Sequence, residues 1–192
     1  MGKEAIRSVS YSRVPGCGDR VRMRAVAERG IPGRSSRVEM TEIVLPEDTN
    51  QYQHAWGGRV MALIDKAGAS ASIRHCRTNV VTASVDSLVF RAPVKLGHIL
   101  RLCAAVNAAF HTSLAVGVAG FSEDPLSGVQ AHCCSAYDTM VALNPDGRPI
   151  PVPRWTLSGS QERRRERAAW RRRRARLLAR HRRAGSPPRH SA

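Results

Sequence analysis

Asn50, the pair Gly57-Gly58 and Asp65 are of the types, and stand at the intervals, that carbonyl chemistry uses. From Gly58 onward Val60, Met61, Leu63, Ile64, Ala67 and Ala71 recur at helical spacing. The first amides of a helix have no intrahelical acceptor, so they can polarise a carbonyl oxygen. Glycines there let a substrate approach the backbone, because no Cβ stands in the way. Asp65 lies seven residues beyond Gly58, about two turns along and on nearly the same face. A carboxylate on a buried helix is costly unless it is paired or functional. Beside a polarised carbonyl it can activate water or attack directly. Asn50, in the loop before the helix, can orient water or bond the carbonyl. The same residues also fit plainer roles, an Asp paired with a nearby lysine and a Gly-Gly tight turn.

The elements that must position these residues follow from periodicity. "VEMTEIVLP" (38–46) is predicted as a strand ended by Pro46, and "EDTNQYQHAW" as a polar loop. Small residues crowd the helix after Gly58, which predicts burial on most of its sides. "NVVTASVDSLVFRAPV" (79–94), "HILRLCAAVNAAF" (98–110), "TSLAVGVAGF" (112–121) and "VQAHCCSAYDTMVAL" (129–143) alternate as strands. One strand, one long buried helix and four successive antiparallel strands make an α+β layout, a sheet wrapping one central helix.

Charge divides the chain further. Residues 37–153 hold nine Lys/Arg against ten Asp/Glu, while residues 154–192 hold fourteen against two. The near-neutral middle, 37–153, is the domain. Residues 1–36, basic and without clear period, are expected to be a disordered extension. Residues 154–192 are expected to form an Arg-rich helix, frayed alone and firmer beside anions, with a disordered end; like charges at i, i+4 oppose the good helix propensity of Arg, Ala and Leu.

Composition excludes several classes. No apolar run reaches the roughly 18 residues of a transmembrane helix, and the first twenty residues lack a signal-peptide core. The five cysteines are an odd count with no Cys-x-x-Cys pair. Neighbours such as Cys133 and Cys134 should point to opposite faces of a strand. Reduced thiols in a cytoplasmic protein and no metal site are the expectation. Arginines in the tail bind any polyanion non-specifically. Only Trp155 and Trp170 interleave with them, and nothing resembles a module that reads nucleic acid.

Residues 38–153 resemble the hotdog-fold acyl-CoA thioesterases, above all the cytosolic acyl-CoA thioester hydrolases and their single-domain bacterial relatives. The resemblance rests on "LPEDTN" (45–50), "GGRVMALIDKAGASASIRHC" (57–76), "VVTASVDSLVFRAPVKLG" (80–97), "HTSLAV" (111–116), "EDPLSG" (123–128) and "NPDGRPIPVP" (144–153), in order. It implies a hotdog fold, with a curved antiparallel sheet around a long helix. It also implies a homodimer with the active site at the interface, and assembly into a trimer of dimers. Carried over, Asp65 is the base or nucleophile, Asn50 of one subunit faces Asp65 of its partner, and the Gly58 amide polarises the thioester carbonyl. Thr82, Ala83 and Ser84 match one CoA-contacting strand, and His111, Thr112 and Ser113 a second such segment. Fatty acyl-CoA is then the substrate, coenzyme A is part of it, and no cofactor is required. The pattern is broken at Gln53, where relatives often have glycine; the turn is altered there, or Gln53 narrows the acyl pocket. Two readings compete, an acyl-CoA sensor without turnover and a polyanion binder run by the tail. Dehydration chemistry wants a His on the central helix, and this helix offers only His75 at its far end.

Overall fold

A computed structural model of the chain describes residues 30–157 and 159–184. Residues 1–29 and 185–192, expected as a disordered extension and end, lie outside the described residues.

The alternating segments form β2 (Val38–Ile43), β3 (Asn79–Phe90), β4 (Ile99–Ala109), β5 (Ser113–Glu123) and β6 (Gln130–Leu143). They make one antiparallel sheet in the order β2-β4-β5-β6-β3. Succession along the chain therefore does not make β3 and β4 neighbours. β4, β5 and β6 form a meander, and β3 pairs with β6 at the far edge.

The long helix α1 (Gly57–Cys76) crosses one face of this sheet. Val60, Leu63, Ile64, Ala67 and Ala71 meet Leu102, Val116 and Met140 in the main core. Burial of each larger side chain contributes about 1.5–3 kcal/mol. His75 ends the buried stripe, its Nε2 atom 3.0 Å from the Pro153 carbonyl oxygen. Burial holds its imidazole below the usual histidine range. The expectation of a helix buried on most sides needs correction. The chain's own sheet covers one face, and Met61, Asp65, Lys66, Ser70 and Ile73 stay exposed on the other.

Two further boundaries shift. The extension was expected to run to residue 36, yet β1 (Ile31–Pro32) pairs in parallel with β7 (Trp155–Thr156). Ser36 is buried, donates to the Gly33 carbonyl at 2.7 Å and accepts the Val106 amide at 3.1 Å. The tail forms α2 (Ser160–Ala184), which packs on the domain and pairs with its Asp86 carboxylate. Ala169 is buried against Ala108 and Ala115 on the outer face of the sheet. Trp170 meets Phe110 edge to face at 4.8 Å, and the Arg172 guanidinium lies 3.7 Å from the Tyr137 ring centroid. Arg176 reaches both Asp86 and Thr139.

The cysteine expectation fails at one place. Cys133 is the extra residue where the register of β5 and β6 shifts, between Gly120↔Cys134 and Phe121↔His132. A bulge of this kind breaks strict alternation. Both thiols are buried, with sulfurs 3.9 Å apart.

Candidate active site

The loop before α1 is built around Asn50. Its Oδ1 atom accepts the amides of Tyr52 at 3.0 Å and His54 at 3.2 Å, and its own amide donates to the His54 carbonyl at 2.8 Å. This turn closes with Gln53 at φ 57°, in the left-handed region that glycine adopts more readily. Gln53 adopts this conformation despite its side chain, which is exposed and does not line the cavity beside Asn50. Arg59, in the first turn of α1, ties the loop down through Asp48 at 2.8 Å and Glu42 at 2.7 Å. The Asn50 side chain, with Oδ1 committed to backbone, keeps its NH2 group as a donor.

Asn50, His54, Gly57, Phe90, Arg91 and Cys134 are among the residues around a cavity of about 370 Å³. The start of α1 forms part of its wall. Trp56 provides no side-chain cap, and the Arg59 and Val60 amides both turn back to the Trp56 carbonyl. The Gly57 and Gly58 amides are left without an intrahelical acceptor. The two glycines differ in surroundings. A Cβ on Gly58 would lie 1.7 Å from the Trp56 ring, so Gly58 makes room for the protein's own tryptophan. At Gly57 the nearest atoms are those of Phe90, at an ordinary 3.6 Å, and it is Gly57 that faces the cavity.

Asp65 stands eight residues further along α1, about 12 Å by helical rise, on the exposed flank. One chain therefore does not bring Asn50 and Asp65 together. Thr82 of β3 does meet Asp65, its hydroxyl donating to Asp65 Oδ1. Met140 Sδ lies 3.2 Å from the same hydroxyl. Ala83, next along the strand, is exposed. Ser84 turns to the outer face and donates to Asp86 at 2.8 Å. Ser84 and Asp86 line a groove of about 610 Å³ with Arg172, Arg176 and Arg180 of α2. His111, Thr112 and Ser113 form the corner between β4 and β5. The carbonyls of His111 and Thr112 accept the amides of Val152 and Ala142, and that of Ser113 accepts the Phe110 amide. Val141 of β6 pairs with Val81 on one side and Ser113 on the other, so the two segments flank the same end of β6.

Residues 52–129 match the family model of the thioesterase superfamily. The uncharacterized acyl-CoA thioester hydrolase YkhA of Bacillus subtilis is 35% identical over 121 residues, 63% of this chain and 70% of that one. The chain belongs to the thioesterase superfamily, as an acyl-CoA thioester hydrolase. Solved structures agree with its hotdog fold. The acyl-CoA hydrolase of Staphylococcus aureus, solved with butyryl-CoA and CoA, is 32% identical with a TM-score of 0.73, over 78% of this chain and 92% of that one. That enzyme has also been solved with an Asp, an Asn or a Thr replaced by Ala. A hexameric acyl-CoA thioesterase is 34% identical with a TM-score of 0.75, over 82% of this chain and 98% of that one.

Two features of this thioesterase escape the sequence reading. Thr82, read as a CoA contact, bonds the Asp65 carboxylate. Asp138 of β6 is only 2% exposed, and neither carboxylate oxygen has a hydrogen-bond partner among the described residues. Burial first, then the charges of Asp65 and Asp86, push its carboxyl up to about 6. The signal for it was parity. Cys134, Ala136, Met140 and Ala142 are buried core residues of β6, and Asp138 stands at the same alternate positions as the only acid among them.

Proposed function

We propose that this thioesterase hydrolyses fatty acyl-CoA to free fatty acid and CoA at sites shared by two copies of the chain. Asp65 acts as the base, and Asn50 comes from the facing copy. The observation that carries this reading is the hydrogen bond that steadies Asp65 from Thr82 while the carboxylate stays on the open flank of α1. The Asn, Asp and Thr altered in the S. aureus hydrolase are spaced along that chain as Asn50, Asp65 and Thr82 are along this one. That spacing supports giving the three residues one shared task.

Pairing is supported by β3. It is a sheet edge, and its Val81, Val85, Val89 and Phe90 are exposed. A long, apolar, unpaired edge invites a second strand. A second β3 would continue the sheet and bring a second α1 alongside. Since Asn50 and Asp65 of one chain lie apart, a shared site also supplies the missing neighbour to each. Three such pairs would give the hexamer known for a relative.

The chemistry needs no group beyond substrate and water, because coenzyme A enters as part of the substrate. Water adds to the thioester carbonyl carbon as Asp65 takes its proton. The Gly57 and Gly58 amides and the Asn50 NH2 group stabilise the oxyanion. The intermediate collapses, the C–S bond breaks, and the proton passes to the CoA thiolate. The corner at His111, Thr112 and Ser113, with Thr82 to Ser84, borders the CoA moiety. The arginines of the groove beside Ser84 suit its phosphates. The four free thiols among the described residues suit a reducing cytoplasm.

The test is release of free thiol from acetyl-, hexanoyl- and palmitoyl-CoA. Wild type should turn over at least one chain length, and Asp65→Asn and Asn50→Ala should lose turnover while remaining folded. Binding without turnover at every chain length would instead mark an acyl-CoA sensor. Mixing inactive Asp65→Asn with inactive Asn50→Ala should restore activity, since mixed pairs contain one intact site.

A further inference from the structure

Asp138 is a buried carboxyl group that the reaction above leaves without a task. It sits under α1: its Oδ2 atom lies 3.5 Å from where a Cβ on Gly68 would stand, beside Met140 and Val116. Gly68 is one turn along the helix from Asp65. Met140 in turn lies 3.2 Å from the Thr82 hydroxyl that holds Asp65. Met140 and Asp138 thus lie between α1 and the sheet, with Asp65 and Thr82 at the exposed margin of the same cluster. The charged groups that act on Asp138 are Asp65 from α1, on its own side of the sheet, and Asp86 from β3, behind the sheet, both acids. The β5 residue in register with it is Val116, which carries no charge. Behind the sheet, Arg176 is engaged by Asp86, and Arg172 by the Tyr137 ring. A carboxylate without donors, on the same side of the sheet as another acid, is a poor buried anion.

We propose that Asp138 is a positioning residue for Asp65, the second carboxyl group of an acid pair whose repulsion is relieved when Asp65 takes the proton from water. This rests on the reading of Asp65 as the base. Two like charges close together hold one proton between them more tightly than either alone. Once Asp138 is ionised, proton transfer to Asp65 removes one charge of the pair and is favoured by that amount. The repulsion between the two carboxylates, as distinct from the desolvation of Asp138, thereby becomes driving force for the step that activates water.

The experiment is the pH dependence of kcat/KM for wild type, Asp138→Asn and Asp65→Asn. Wild type should rise through an added step of about threefold or more, centred near the value of about 6 that the site imposes on Asp138. Asp138→Asn should lack that step and keep a simple acid limb at lower pH. Superimposable profiles for the two would overturn the proposal. Because a buried amide can impair folding, the reciprocal coupling is read in full-length protein by carbon NMR of the Asp138 carboxyl. Its midpoint should fall when Asp65 becomes Asn, by the linkage that binds the two sites. An unmoved midpoint would also overturn the proposal. Failure of the underlying reading looks different: Asp65→Asn would then retain wild-type turnover.

Discussion

Thr82 and Asp65, 17 residues apart, meet through a hydrogen bond from the strand hydroxyl to the helix carboxylate. Thr82 therefore fixes the direction of the Asp65 carboxylate on the exposed flank of α1. Thr82→Val keeps the shape and removes the donor. It should lower kcat about 10- to 100-fold and leave KM within about twofold. Thr82→Ser should retain most of the rate. Steady-state kinetics of the three proteins check this, and a Thr82→Val enzyme with wild-type kcat would remove Thr82 from the mechanism.

Asp86 is held by Arg176 from α2, by Ser84 at 2.8 Å and by Thr139 at 3.2 Å, with its side chain 8% exposed. Replacing Arg176 by Ala leaves that carboxylate without its cation. The expected loss is about 2–4 kcal/mol, seen as a lower melting temperature. Loosening of α2 should speed trypsin cleavage within its arginines.

Asp138 makes stability fall as pH rises. Its carboxyl is raised from 3.8 to about 6 in the folded protein, so the folded state binds the proton more tightly. Below the unfolded value both states are protonated and no penalty exists. Between about 4 and 6 the penalty grows, reaching on the order of 3 kcal/mol above that window. Urea melts across this range should show the slope in wild type and its loss in Asp138→Asn.

Val89 lies exposed on the β3 edge. Lysine there guards an edge against pairing. Val89→Lys should turn the assembly into monomers by light scattering and abolish turnover, with the helical signal by circular dichroism unchanged. A paired and active Val89→Lys protein would move the interface away from β3.

The strands were legible because alternation is a local property. β2 through β6 fall within a few residues of the segments that periodicity picks out, and α1 begins at the glycine pair. What lay hidden depended on neighbours. The exposed flank of α1 reads as apolar and small in Met61, Ala62 and Ala69, and only the fold reveals that one sheet covers one face. The docking stripe of α2, through Ala169, Arg172 and Arg176, is written in a helix so rich in arginine that no periodicity stands out. The Cys133 bulge left no mark in composition. Asn50 and Asp65 were legible as chemistry but not as a distance, because the helical rise between them separates them within one chain.

Arg172, Arg176 and Arg180 line a groove beside β3, the edge proposed to pair with a second copy. Joining two such borders concentrates positive charge, most of all at low ionic strength. An anion seated among these arginines lessens the work of joining. Whatever factor its binding contributes to pairing, pairing returns to its binding. Dilution into single copies would then weaken anion binding by that same factor.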